Sequence, residues 1–267
     1  MGLTKQMVKK RLLMGLLLGL FTYQSTHAGA WVRGKGEFLN IATGQYYQST
    51  NYWTTGGHLH SSPIYKKGYG SDYFEYGVTD KFTFGGYFSG LQSHTQANGT
   101  QGGGSDNLLL GRFLLWKGDS VVVSTQLLVD ALGHGAHLNI PPQNGRLNTG
   151  EALLIGTGGS AKNKKMNWFF DASLGVLQRY GPGDQAQVIF EGGLKFFDDR
   201  FWLFIQNWNT IGLATPEKGS YNLFTIAPSI VYWPTKKIGL QLGLTQDMYG
   251  QNVGEGIGPF AALWLYL

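Results

Sequence analysis

Residues 237–245 alternate without a break, and this narrows the possible folds more than any other feature of the chain. Ile238, Leu240, Leu242 and Leu244 share one face of an extended segment, while Gly239, Gln241, Gly243, Thr245 and Asp247 share the other. A single strand of this kind would suit a soluble sandwich. Here about a dozen segments of about ten residues repeat it, which is the pattern of an all-β, transmembrane antiparallel up-and-down barrel. Such a barrel is apolar toward lipid and polar toward its lumen.

Twelve strands are expected, at 36–47, 69–79, 82–93, 107–116, 120–132, 151–159, 167–179, 186–197, 201–212, 221–233, 237–248 and 257–267. Tight polar connections fall at 79–81, 117–119, 162–165, 198–200 and 234–237, and longer ones at 48–68, 94–106, 133–150, 180–185, 213–220 and 249–256. Short and long alternate strictly, as in bacterial outer-membrane barrels with short periplasmic turns and long outer loops. An even strand count returns both ends of the barrel to the periplasm.

The start of the chain reads as a secretory signal. Lys5, Lys9, Lys10 and Arg11 precede the apolar run Leu12 to Phe21, and small-residue cleavage sites follow at Thr26-His27-Ala28 and Ala28-Gly29-Ala30. About ten apolar residues are too few to span a bilayer as a helix. The expected division is a signal peptide at 1–30 and a barrel domain at 31–267, with the mature chain beginning near Gly29 or Trp31. Removing the signal changes the electrostatics. The whole chain is +5 from 21 basic and 16 acidic residues; four basic residues lie in the signal, which leaves 17 against 16, or +1. The net-charge argument for nucleic acid therefore disappears.

With no cysteine, disulfides and thiolate metal sites are excluded. Only 14% of residues are charged, against about 25% in average soluble domains. No later run of eighteen apolar residues occurs, so helical spans are not expected.

Trp116, Trp168, Phe197, Phe201, Trp202, Tyr232 and Trp233 all lie near the short turns, so they are expected to form a periplasmic aromatic girdle. In the first outer hairpin, Tyr47 and Tyr69 are assigned to the opposite girdle, and Trp53 is left open between girdle and pore mouth. The last strand carries Leu263, Leu265 and Leu267 on one face, and is the segment through which barrel-assembly machinery would engage the chain. With apolar residues turned to lipid, the lumen receives Glu75, Arg112, Asp130, Asp171, Glu191, Lys195 and Asp247. Placing an Arg or Lys at the lipid midplane instead costs roughly 2–4 kcal/mol. Two roles stay open for these seven: cross-linking that plugs a narrow barrel, or lining a pore or polar binding site.

Catalysis is weighed and set aside. A rim hydrolase needs a Ser–His or Asp–His pair, and His60 with Ser61 and Ser62, or His134 and His137, are the nearest matches. His58 with His60, and His134 with His137, also have metal-compatible spacing. Because each lies in an expected loop, the reading is no enzyme, no metal and no cofactor.

The stretch Tyr73-Phe74-Glu75-Tyr76-Gly77-Val78-Thr79-Asp80-Lys81-Phe82-Thr83-Phe84-Gly85-Gly86 resembles a hairpin of the phenol-degradation (MetA-pathway) outer-membrane proteins. Ala30-Trp31-Val32 followed by Gly34-Lys35-Gly36-Glu37 is similar to a surface-protein branch of that group. The resemblance implies an outer-membrane barrel for small, often hydrophobic or aromatic compounds, and supplies no catalytic residue. The resulting expectation is a channel or facilitated-uptake protein whose partners are outer-membrane lipid and a small solute. The alternatives are a closed structural or surface-interaction barrel and, behind it, a rim lipid hydrolase.

Overall fold

The computed structural model describes residues 29–95, 99–130, 148–161, 166–178, 184–213 and 220–267. Twelve strands follow one another: β1 (Phe38–Trp53), β2 (Leu59–Thr79), β3 (Phe82–Thr95), β4 (Gly99–Lys117), β5 (Val121–Asp130), β6 (Asn148–Ser160), β7 (Met166–Gln178), β8 (Gln185–Phe196), β9 (Phe201–Gly212), β10 (Tyr221–Tyr232), β11 (Ile238–Gln251) and β12 (Val253–Tyr266). Each pairs with its sequence neighbours, and β1 pairs with β12, which closes the barrel. Leu39 sits opposite Tyr266 and Gln45 opposite Phe260 along that seam. Reciprocal hydrogen bonds of 2.9 Å between Phe38 and Leu267 finish it at the end where the short turns gather. Closure leaves no unpaired sheet edge among the described strands.

The alternation sorts side chains as the hydrocarbon argument requires. On β11, Leu240 and Leu242 are exposed on the outer wall while Gln241, Thr245 and Asp247 are buried inside. The same division holds on β7, where Phe170, Leu174 and Val176 face out and Phe169 and Asp171 face in. A wide belt of exposed Leu, Ile, Val and Phe results, far beyond the apolar patches of water-soluble monomers. It is interrupted between β1 and β2, where Asn40 Nδ2 donates to Asp72 Oδ1 at 2.5 Å on the outer face.

The strands run further than the sequence pattern suggests at the end opposite the short turns. The expected loop 48–68 is mostly ladder: Tyr52 pairs with His60, and only a turn around Gly57 (φ 74°) separates β1 from β2. Likewise His94 pairs with Thr100, and β11 passes into β12 through Asn252 (φ 54°). Backbone pairing needs no apolar face, so a hairpin continues past the hydrocarbon with polar residues on both sides. The other expected loops, 133–150, 180–185 and 213–220, lie largely outside the described residues.

Candidate functional site

The chain preceding β1 turns back into the barrel. Gly36 (φ 86°) makes the reversal, its N–H donating to Gly77 O at 2.8 Å. A Cβ at Gly77 would lie 1.9 Å from Gly34 O, so a glycine there lets the two backbones touch. From this foot, residues 29–35 form a strap that visits successive strands. Arg33 N donates to Thr83 Oγ1 of β3 at 2.7 Å, and Arg33 Nε donates to Glu75 of β2. Arg112 Nη1 of β4 donates to Trp31 O at 3.2 Å. Ser124 Oγ of β5 donates to Ala30 O at 2.5 Å, and Ala30 N donates to Asp171 Oδ1 of β7 at 2.9 Å. In a ring of twelve, β7 stands opposite β1.

Glu75 is the centre of this half of the floor. It is fully buried and accepts from Arg33, from Arg112 Nη1 (2.6 Å) and from the Tyr73 hydroxyl. Arg112 places two further bonds on Gln126 Oε1, at 3.1 and 2.7 Å. Removing one member of so buried a set would leave charge unpaired in a medium that solvates it poorly.

The other half of the floor is aromatic, and here two girdle assignments need correction. Trp202 and Trp233 do not face outward: they are 3% and 6% exposed and pack with Trp264 inside the barrel. The Trp202 ring lies tilted 5.2 Å from that of Trp233 and edge-to-face 6.2 Å from that of Trp264. Parity is the reason. Phe201, Leu203 and Ile205 take the outer face of β9, so Trp202 must point in; Tyr232 faces out, so Trp233 must point in. Trp116, Trp168, Phe197, Phe201 and Tyr232 are exposed on the outer wall. Trp116 reaches it through a bulge that shifts the register between Leu114 and Trp116. Lys195 joins the aromatic half, its ammonium 4.4 Å from the Trp202 ring centroid and 5.4 Å from that of Phe169.

Above the floor the lumen holds a cavity of about 230 Å³, lined by Ile41, Phe204, Trp208 and Phe260 among apolar groups and by Glu191, Gln206 and Gln241 among polar ones. Gln206 Nε2 donates to Glu191 Oε1 at 2.7 Å. Higher still, Asp247 accepts from Tyr47 OH (2.6 Å), Thr225 Oγ1 (2.5 Å) and Gly256 N (3.2 Å). Tyr47 therefore lies inside, and so does Tyr69, which bonds Tyr87 and lines the cavity; neither forms an outer girdle. Their parity with Gln45 and Ser71 dictates this. Trp53, 6% exposed, also belongs to the interior. Of the seven expected lumen residues, the structure brings Glu75 and Arg112 together, sets Asp171 opposite Glu191 in the β7–β8 ladder, and places Lys195 over Trp202 and Asp247 against Tyr47. The Asp130 side chain lies outside the described residues.

His58 and His60 are exposed, the latter on β2 rather than in a loop, while His134 and His137 lie outside the described residues. No group of three or more metal-ligating side chains converges among the described residues. On the outer wall, a groove of about 770 Å³ runs over β7 to β11 between Leu203, Ile205, Ile230 and Leu242. Beside it the β10–β11 ladder skips Ala227 and Pro228, and proline has no N–H to give. Phe204 lines both the inner cavity and this groove. The strap was not legible as a functional element in the sequence, because residues 29–37 have no strand period.

Among solved structures, the chain is similar to an outer-membrane channel from Pseudomonas putida F1, with TM-score 0.67 and 14% identity over 91% of this chain and 100% of that one. It is also similar to the NanC porin, with TM-score 0.50 and 9% identity over 85% of this chain and 98% of that one. At these identities the likeness is one of fold: this is the architecture of outer-membrane channel barrels. No protein-family model matches the chain, and no curated protein matches it by sequence. The narrower resemblance to the phenol-degradation group rests on the hairpin motif at 73–86 and the stretch at 30–37.

Proposed function

We propose that this protein is an outer-membrane channel for small, largely apolar or aromatic solutes, held closed by its own N-terminal strap. The observation that carries this reading is the strap itself, a segment outside the strand ladder that occupies a polar track through the lumen. The exposed apolar belt supports an outer-membrane location, with β12 as the segment that assembly machinery would read. Strap and tryptophan cluster close the barrel on the side of the short turns, below a cavity with room for one small molecule. An engineered cavity of about 150 Å³ accepts benzene, so about 230 Å³ admits an aromatic ring with a polar substituent. Glu191, Gln206 and Gln241 would meet that substituent, and Phe204 and Trp208 the ring. Conduction then requires the strap to leave its track, with lumen residues Glu75, Arg112, Asp171, Glu191, Lys195 and Asp247 setting selectivity. The outer groove at Phe204 offers apolar solutes a place to collect beside the lumen.

The filled floor also favours a second reading, a closed barrel that acts through its tall outer hairpins. Solute flux into vesicles carrying purified protein separates the two. The channel reading expects flux of small aromatic solutes that rises when the strap is loosened. A barrel that stays silent with the strap loosened is a structural one.

A further inference from the structure

Asp171 is 4% exposed, and its two carboxyl oxygens are treated unequally. Oδ1 accepts the Ala30 N–H at 2.9 Å, whereas Oδ2 is buried without a hydrogen-bond partner among the described residues. A buried carboxylate oxygen with no donor is costly, and such an atom in a folded protein calls for a partner. The neighbouring cations have other engagements: Arg33 and Arg112 both bond Glu75, and Lys195 lies over the Trp202 ring.

What touches the Asp171 carboxyl is Gly29. A Cβ there would fall 2.3 Å from its carboxyl carbon and Oδ1 and 2.4 Å from Oδ2, so the Gly29 backbone rests directly against the group. Gly29 also follows the first of the two cleavage sites, Thr26-His27-Ala28.

We propose that signal cleavage falls between Ala28 and Gly29, and that the α-ammonium it creates on Gly29 is the partner of Asp171 that locks the strap into the barrel. The chemistry is the hydrolysis carried out by a signal peptidase. Water adds across the Ala28–Gly29 amide, Ala28 leaves with the new carboxylate, and Gly29 keeps the nitrogen, which takes up protons to become an ammonium. Before the cut, that nitrogen is an uncharged amide with one N–H. After it, a cation with three donors lies beside an oxygen that lacks one. Cleavage two residues later, after Ala30, would remove both Gly29 and the Ala30 N–H that Asp171 now uses. The geometry therefore favours the earlier of the two sites, two residues before the division at residue 30 that the sequence pattern suggests. Processing then does more than release the barrel: it supplies the charge that fixes the far end of the strap to β7.

The test uses mature protein purified from outer membranes in detergent, and none of its readouts depends on conduction. Intact-mass analysis is expected to show a chain starting at Gly29; a start at Trp31 overturns the proposal. An α-amine-selective aldehyde reagent at neutral pH is expected to label the folded wild type at least about tenfold more slowly than the denatured chain. Asp171→Asn should abolish that protection while heat-dependent gel mobility shows a folded barrel. Gly29→Ala, which pushes a methyl into the carboxyl, serves as the second variant and should do the same. Equal labelling of folded and denatured wild type, or full protection in both folded variants, would also overturn it.

Discussion

The two halves of the barrel floor fill the same lumen by opposite means. From β2 to β7 the filling is polar: Glu75, Arg112, Ser124 and Asp171 hold a segment that is not part of the sheet. From β7 to β12 it is aromatic and permanent, because Phe169, Trp202, Trp233 and Trp264 are side chains of the wall itself. Ion pairs and hydrogen bonds can be exchanged for water when a segment withdraws, whereas a packed tryptophan cluster leaves only by breaking the core. The polar half is therefore suited to be a gate and the aromatic half a fixed jamb.

Deleting residues 31–36 should have the largest effect, since it removes the movable half outright. Solute flux and bilayer conductance are expected to rise strongly while the barrel keeps its heat-dependent mobility. Glu75→Gln comes next: it leaves the buried Arg33 and Arg112 without their anion, which costs about 3–5 kcal/mol in guanidinium unfolding and raises conductance. Trp202→Ala should cost a similar amount, about 3–5 kcal/mol, yet leave conductance near the wild-type level because the strap still holds its track. If instead Trp202→Ala opened the barrel and Glu75→Gln did not, the roles of the halves would be reversed. A smaller effect is expected of Gly77→Ala, whose methyl meets Gly34 O at the strap's foot. The expected loss is about 1–3 kcal/mol, with a partial rise in flux. Least of all, Trp233→Phe should change stability by less than about 1 kcal/mol, since the indole N–H it removes is buried with no partner among the described residues.

Much of this architecture was legible in the alternation. Residues 201–212 were bounded as β9 runs, and parity alone placed Glu75, Arg112 and Asp171 inside. Trp202 and Trp233 sit beside short turns, and nearness to a turn says how deep a residue lies but not which face it takes. Tyr47 and Tyr69 show the same fault at the other end. The tall hairpins escaped notice because their ladder persists where lipid no longer enforces an apolar face, as at Tyr52 opposite His60. The strap was invisible for a different reason. Its contacts join Arg33 to Glu75 and Ala30 to Asp171, across separations that no local period encodes.

Single-channel conductance of the purified wild type beside the 31–36 deletion, in the same bilayer and salt, tests the strap most directly. A larger, longer-lived open state in the deletion is the expected result. Equal conductance in two folded barrels, or silence in both, would mean that the strap is not what closes the lumen.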